Sequence, residues 1–143
     1  MLQRLALMKF LRRGGVFLQV RGVRGAITIK EDSELEVLQV TDTLLRKMIQ
    51  ENEIEPEQVV SVFISVTDDI TNAFPARAMR AIDGWSYVPV MCMKEMTVPN
   101  ALQKCIRIMM HINTNKGQRE ISHIYLEEAV SLRPDLVQQS NQD

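Results

Sequence analysis

K-C-I-R-I-M-M-H-I-N-T, residues Lys104–Thr114, alternates with a period of two. Residues i and i+2 of a strand share a face, so Ile106, Ile108, Met110 and Ile112 form one apolar side. Cys105, Arg107, Met109 and His111 take the other. The stretch is expected to be a strand with one buried face. Arg107, set between two isoleucines, projects away from that core. Arginine is seldom buried without a partner. It either meets solvent on an outer sheet face or is aimed at an anion.

On the C-terminal side, Asn115–Gln118 reads as a loop. Ile121–Leu126, I-S-H-I-Y-L, reads as the last strand. On the N-terminal side, Trp85–Met93 predicts another strand. Pro89 within it requires an edge or a bulge, because proline donates no ladder hydrogen bond. Val59–Val66, V-V-S-V-F-I-S-V, is almost wholly apolar, which predicts a central strand buried on both faces. Asp68-Asp69 after it reads as turn chemistry rather than as a catalytic carboxylate pair. Val20–Ile29 predicts the first strand.

Ser33-Glu34-Leu35-Glu36 has the form of a capping box and opens a helix over Glu34–Glu51. Val37, Leu38, Thr41, Leu44, Leu45, Met48 and Ile49 form its inner stripe. The order is β-α-β-(short α)-β-β-β, an α+β fold with a mixed sheet of about five strands on one long helix. No second long helix covers the other face. An oligomer would cover it, and would bring the scattered arginines to a subunit interface.

At 143 residues, 45% hydrophobic and 24% charged, the chain is expected to be one domain. A net charge of −1 gives no basic field for nucleic acid or an anionic membrane. Cys92 and Cys105 lack metal or redox spacing, and read as free thiols in a reducing, cytoplasmic setting. Arg4, Lys9, Arg12 and Arg13 stand in residues 1–19 with no acid among them, and the remainder holds 13 basic and 18 acidic residues. Three readings fit that segment: an appendage, an organelle-type leader, or a basic helix docked on the body. The expected division is a basic extension over 1–19, a folded domain over 20–136 and a mobile tail over 137–143.

Catalytic patterns are few. No serine–histidine–acid set or phosphate loop can be argued. His111 and His123 have no carboxylate partner, and no metal is expected. Arg21 and Arg24 each precede a glycine. They are either charges on an edge strand, or arginines beside glycines that open space for a ligand. In Phe74–Arg80, Pro75 suits the first helical position. Arg77 and Arg80 then place cations at a helix N-terminus, against its dipole. Either they extend into solvent, or a bound anion relieves the conflict. Together these arginines point to a small anionic ligand.

V-R-G-V-R-G-A at 20–26 resembles the opening of the monofunctional chorismate mutases of the Bacillus type. F-P-A-R-A-M-R at 74–80, G-W-S-Y-V-P-V-M-C-M-K-E-M at 84–96, K-C-I-R-I-M-M at 104–110, H-I-Y-L-E at 123–127 and A-V-S-L-R-P-D-L at 129–136 continue the likeness in order. The resemblance implies a homotrimeric pseudo-α/β-barrel with active sites between subunits. There chorismate would rearrange to prephenate, toward phenylalanine and tyrosine, without cofactor or covalent intermediate.

By family position, Arg107 would face the breaking ether oxygen and Arg24 would bind a carboxylate. Glu95 would accept from the ring hydroxyl, and Tyr125 would hydrogen-bond a carboxylate. Phe74, Ala76, Arg77, Arg80, Val90 and Met91 would form the neighbour's wall, with Cys92, Met93 and Lys94 lining the site. Leu132 and Arg133 would close the mouth. Met91 stands where threonine is common, Arg77 where lysine often stands, and residues 1–19 fall outside the family pattern. The competing readings are a trimer of the enamine/imine deaminase-like kind that binds small carboxylates, and a structural trimer whose arginines only make interface ion pairs.

Overall fold

The computed structural model describes residues 19–139, with side chains to Leu136. The basic segment, apart from Gln19, and the end of the tail lie outside the described residues. Strand β1 (Gln19–Thr28) leads into α1 (Glu34–Asn52), then β2 (Val59–Val66), the short α2 (Ala76–Arg80), β3 (Val90–Lys94), β4 (Cys105–Thr114) and β5 (Ile124–Tyr125). A 3-10 segment, Glu127–Leu132, and α3 (Pro134–Gln139) follow. No described helix is long and apolar enough to cross a membrane.

The sheet order is β3-β2-β4-β1-β5. Lys104–Thr114 thus supplies the middle strand, antiparallel to both neighbours, while β2–β3 and β1–β5 pair in parallel. Its inner residues Ile106, Ile108, Met110 and Ile112 are at most 1% exposed. They meet Val37, Leu44, Leu45 and Met48 of α1 in one core. Ser33 Oγ accepts from the Glu36 amide at 3.1 Å, as the cap requires. Glu36 reaches back past Ser33, and its carboxylate accepts from the Lys30 and Glu31 amides. Gly25 lies beneath α1. A Cβ there would collide with Met48 Sδ and stand 3.1 Å from Leu44 Cδ1. This glycine therefore makes room for the helix, not for a ligand.

Three expectations are corrected. First, β2 has strands on both sides but is buried on one face only. Val62 and Ile64 are buried, while Ser61, Phe63 and Ser65 are half-buried. The one long helix among the described residues covers one side of the sheet, and the serines mark the other. Second, Trp85–Val88 forms tight turns, with the Trp85 and Val88 amides donating to the Ile82 and Trp85 carbonyls. Pro89 has no N–H, so the ladder begins after it, with the Pro89 carbonyl accepting from Val62. Third, β5 is two residues long, because side chains take over the pairing on its N-terminal side.

The face opposite α1 is covered at one end. Ala26, Cys105, Tyr125 and Ala129 form a second buried cluster, with Leu102, Leu132 and Leu136 against it. The Asp68-Asp69 turn behaves as expected: the Asp69 carboxylate accepts from the Lys104 amide and fastens the entry to β4.

Candidate active site

Strand register sets one row of residues across the whole sheet. Met93, Ser65, Arg107, Ala26 and Tyr125 are successive partners on β3, β2, β4, β1 and β5. Directly paired residues share a face, so all five lie on the side away from α1. Strands are about 4.8 Å apart, which puts Arg107 and Tyr125 roughly 10 Å apart at the backbone. Ala26, the smallest side chain in the row, lies between them. The next row along holds Met91, Phe63, Met109 and Arg24.

Glu95 follows β3, and its amide donates to the Val66 carbonyl at 2.8 Å, extending the ladder by one residue. That turns its carboxylate over the row. Ser65 Oγ donates to Glu95 Oε2 at 2.7 Å. Arg107 Nε lies 3.6 Å from the same oxygen, which is a charge contact too long to be a hydrogen bond. The Ser65 bond, then the Arg107 charge, the Met96 amide and the Arg24 charge hold Glu95 below the usual carboxylate range, outweighing partial burial. Glu95 is therefore a fixed anion between two guanidinium groups.

Two atoms in this region have no partner. Arg107 Nε and the Tyr125 hydroxyl are buried and make no hydrogen bond. A buried donor left unpaired costs about 1–3 kcal/mol, so such atoms need an explanation. A depression of about 240 Å³ opens beside Arg107, lined also by Arg24, Glu95, Ser65, Phe63 and Met93. Burial pushes the nearby Cys105 thiol up, although the Arg107 guanidinium opposes this.

Phe74, Arg77, Cys92, Met93 and Lys94 line a separate depression of about 550 Å³, together with Val66 at the end of β2 and the segment that follows it. Phe74 is 70% exposed and Met91 61%. Val90 and Cys92 are half-buried, Arg80 is exposed, and Ala76 is buried in the core. Arg77 Nη1 donates to Glu34 Oε1 at 2.6 Å, so an acid of α1 answers the conflict expected at the start of α2. Leu132 packs on the second cluster, and Arg133 is paired with Asp135 at 2.9 Å. The structure thus separates a charged group around Arg107 from a partly exposed wall around Phe74 and β3, with Met93 lining both depressions; Ala76 lies in the core, and Leu132 and Arg133 lie apart. Ser65 and Phe63 were not anticipated. Their signal was the alternation of Ser61, Phe63 and Ser65 in β2.

The family model for chorismate mutase type I matches residues 20–136. The chain belongs to the type I chorismate mutases. It is 51% identical over 119 residues to chorismate mutase AroH of Bacillus subtilis, covering 83% of this chain and 94% of that protein. It is 46% identical over 118 residues to the AroH of Thermus thermophilus, covering 82% and 96%. A solved chorismate mutase from Clostridium thermocellum superposes with a TM-score of 0.74 at 41% identity, covering 77% of this chain and 97% of that one. The segments of this chain that carry the resemblance fall on β1, α2, β3, β4, β5 and the segment after β5. These elements carry the charged group and the partly exposed wall.

Proposed function

We propose that the chain converts chorismate to prephenate on the sheet face around Arg107, with Arg107, Glu95, Arg24 and Tyr125 as the catalytic set. The reaction is a pericyclic Claisen rearrangement, which needs no nucleophile, metal or proton relay. Catalysis then consists of holding the dianion in a compact chair-like form and placing positive charge where the ether oxygen gains electrons. The observation that carries the reading is the buried, unpartnered Nε of Arg107. The 3.6 Å gap to Glu95 leaves that donor free for substrate. Glu95, kept ionised, accepts from the ring hydroxyl. Arg24 and the unpaired Tyr125 hydroxyl bind carboxylate.

The row lies on the sheet face opposite α1, and the wall residues lie on β3 and around α2. A homotrimer with sites between subunits would bring one chain's Phe74, Arg77 and Arg80 against another's Arg107. The exposure of Phe74, Tyr87, Met91, Met96 and Val98 supports burial against a second copy. Residues 20–136 are the catalytic domain in this reading, residues 1–19 an extension and 137–143 a tail, and the enzyme works in the cytoplasm. The test is loss of chorismate absorbance with purified full-length protein, with light scattering alongside. Turnover by a trimer is expected. An intact trimer without turnover overturns the enzyme reading, and an active monomer overturns the interface site.

A further inference from the structure

We infer that His123 is a positioning residue for Arg24: its imidazole accepts the Arg24 amide proton and fixes the part of β1 that carries the guanidinium. The inference rests on the assignment of Arg24 to a substrate carboxylate.

The parallel pairing of β1 with β5 covers only Gly25–Ile124 and Ala26–Tyr125. One position earlier the ladder stops, yet the Arg24 amide still points to that side. His123 Nδ1 takes it, at 3.0 Å across 99 residues of sequence. Only a neutral imidazole with its proton on Nε2 can do this, since the charged ring has two donors and no acceptor. The surroundings favour that state. Partial burial, then the Arg24 and Arg133 cations, hold His123 below its ordinary value. Asp135 is occupied by Arg133 and offers the ring no counter-charge.

The other side of the segment is clamped too. Asn52, buried at the end of α1, donates from Nδ2 to the Ser122 carbonyl at 2.8 Å and accepts at Oδ1 from the Ser122 amide at 2.8 Å. Its Nδ2 also donates to the Met48 carbonyl at 2.9 Å. One amide side chain therefore pairs with Ser122 as a strand would, and the next residue pairs with Arg24. Residues 122–125 are held between α1 and β1, so Arg24 and Tyr125 share one rigid frame. An error there would displace both groups at once, and a displacement of about 1 Å can cost 10²-fold in rate.

Three measurements test the inference. Imidazole ¹⁵N spectra of the unmutated protein should show His123 neutral with the proton on Nε2; a proton on Nδ1 overturns the inference. His123→Ala should lower kcat/KM about tenfold, mainly through KM, as expected when a buried backbone donor loses its acceptor. His123→Asn places Oδ1 where Nδ1 was and should recover to within about threefold. It should also abolish the acid limb in kcat/KM expected of the unmutated enzyme, which lies on the acid side of the ordinary histidine range because His123 is held low. Equal losses in the two variants, or an unchanged acid limb, overturn the inference. In an Arg24→Ala background, His123→Ala should cost clearly less than in the unmutated enzyme, because the part of its effect that acts through Arg24 is already lost; fully additive losses overturn it. If the unmutated protein does not turn over chorismate, the assignment of Arg24 fails by itself, and the spectra still decide whether the bond exists.

Discussion

The two faces of β4 share one backbone and do opposite work. Ile106, Ile108, Met110 and Ile112 face α1, are at most 1% exposed and belong to the main apolar core. Arg107, Met109 and His111 face the other way and are half-buried. Of these, Arg107 keeps an unspent donor, while His111 Nδ1 lies 3.2 Å from Ser61 Oγ and the ring sits edge-on to Phe63. The inner face uses its groups in packing, and the outer face holds groups in reserve. A strand alternates strictly between faces, so stability and chemistry sit on alternate residues and can be perturbed separately.

The largest expected effect breaks the outer face. Citrulline at Arg107 keeps the shape and removes the charge. It should lower kcat about 10³-fold, the scale of losing a preorganised donor to developing negative charge, with KM changed only a few-fold. Thermal stability should barely move, because the guanidinium's Nε stands 3.6 Å from the Glu95 carboxylate, too far for a strong pair. Equal changes in kcat and KM would make Arg107 a simple anchor. The matching break on the inner face is Ile112→Ala. It should cost about 3 kcal/mol in urea unfolding, as a large-to-small change at a fully packed site does, and leave kcat of the folded enzyme nearly intact. A large fall in kcat would show that the two faces are coupled.

The same alternation explains which parts of the fold are legible in the sequence. β4 and α1 were legible because each combines a clean period with a buried face. β2 is not legible in this way, because six apolar residues mask the serines at 61 and 65, which mark the face away from α1. Trp85–Pro89 has strand-like composition, but a proline at its end prevents a ladder from crossing it. Arg24 and Arg107 were visible as candidates, yet their placement in adjacent rows depends on register, which periodicity does not state. Their individual roles came from the family resemblance. The Ser65–Glu95, Arg77–Glu34 and Arg24–His123 contacts join residues 30, 43 and 99 apart, and no local pattern announces them.

The smallest effects sharpen the comparison at the two glycines of β1. Neither Gly22 nor Gly25 has a positive φ, so space rather than conformation decides the cost of a methyl group. At Gly25 the added Cβ enters the helix face, where Met48 and Leu44 are fully buried and have nowhere to move. Gly25→Ala should cost about 2 kcal/mol, as overpacking a tight core does. At Gly22 the added Cβ enters the outer face, 3.2 Å from Met109 Sδ. That thioether is half-buried and flexible enough to give way. The unfolded chain also loses more freedom with alanine than with glycine, which favours the variant by roughly 0.5 kcal/mol. Gly22→Ala should therefore leave the urea midpoint unchanged or slightly raised. The two substitutions are chemically identical and three residues apart, so equal penalties would mean that the outer face is packed as tightly as the inner one, leaving less room there for a substrate.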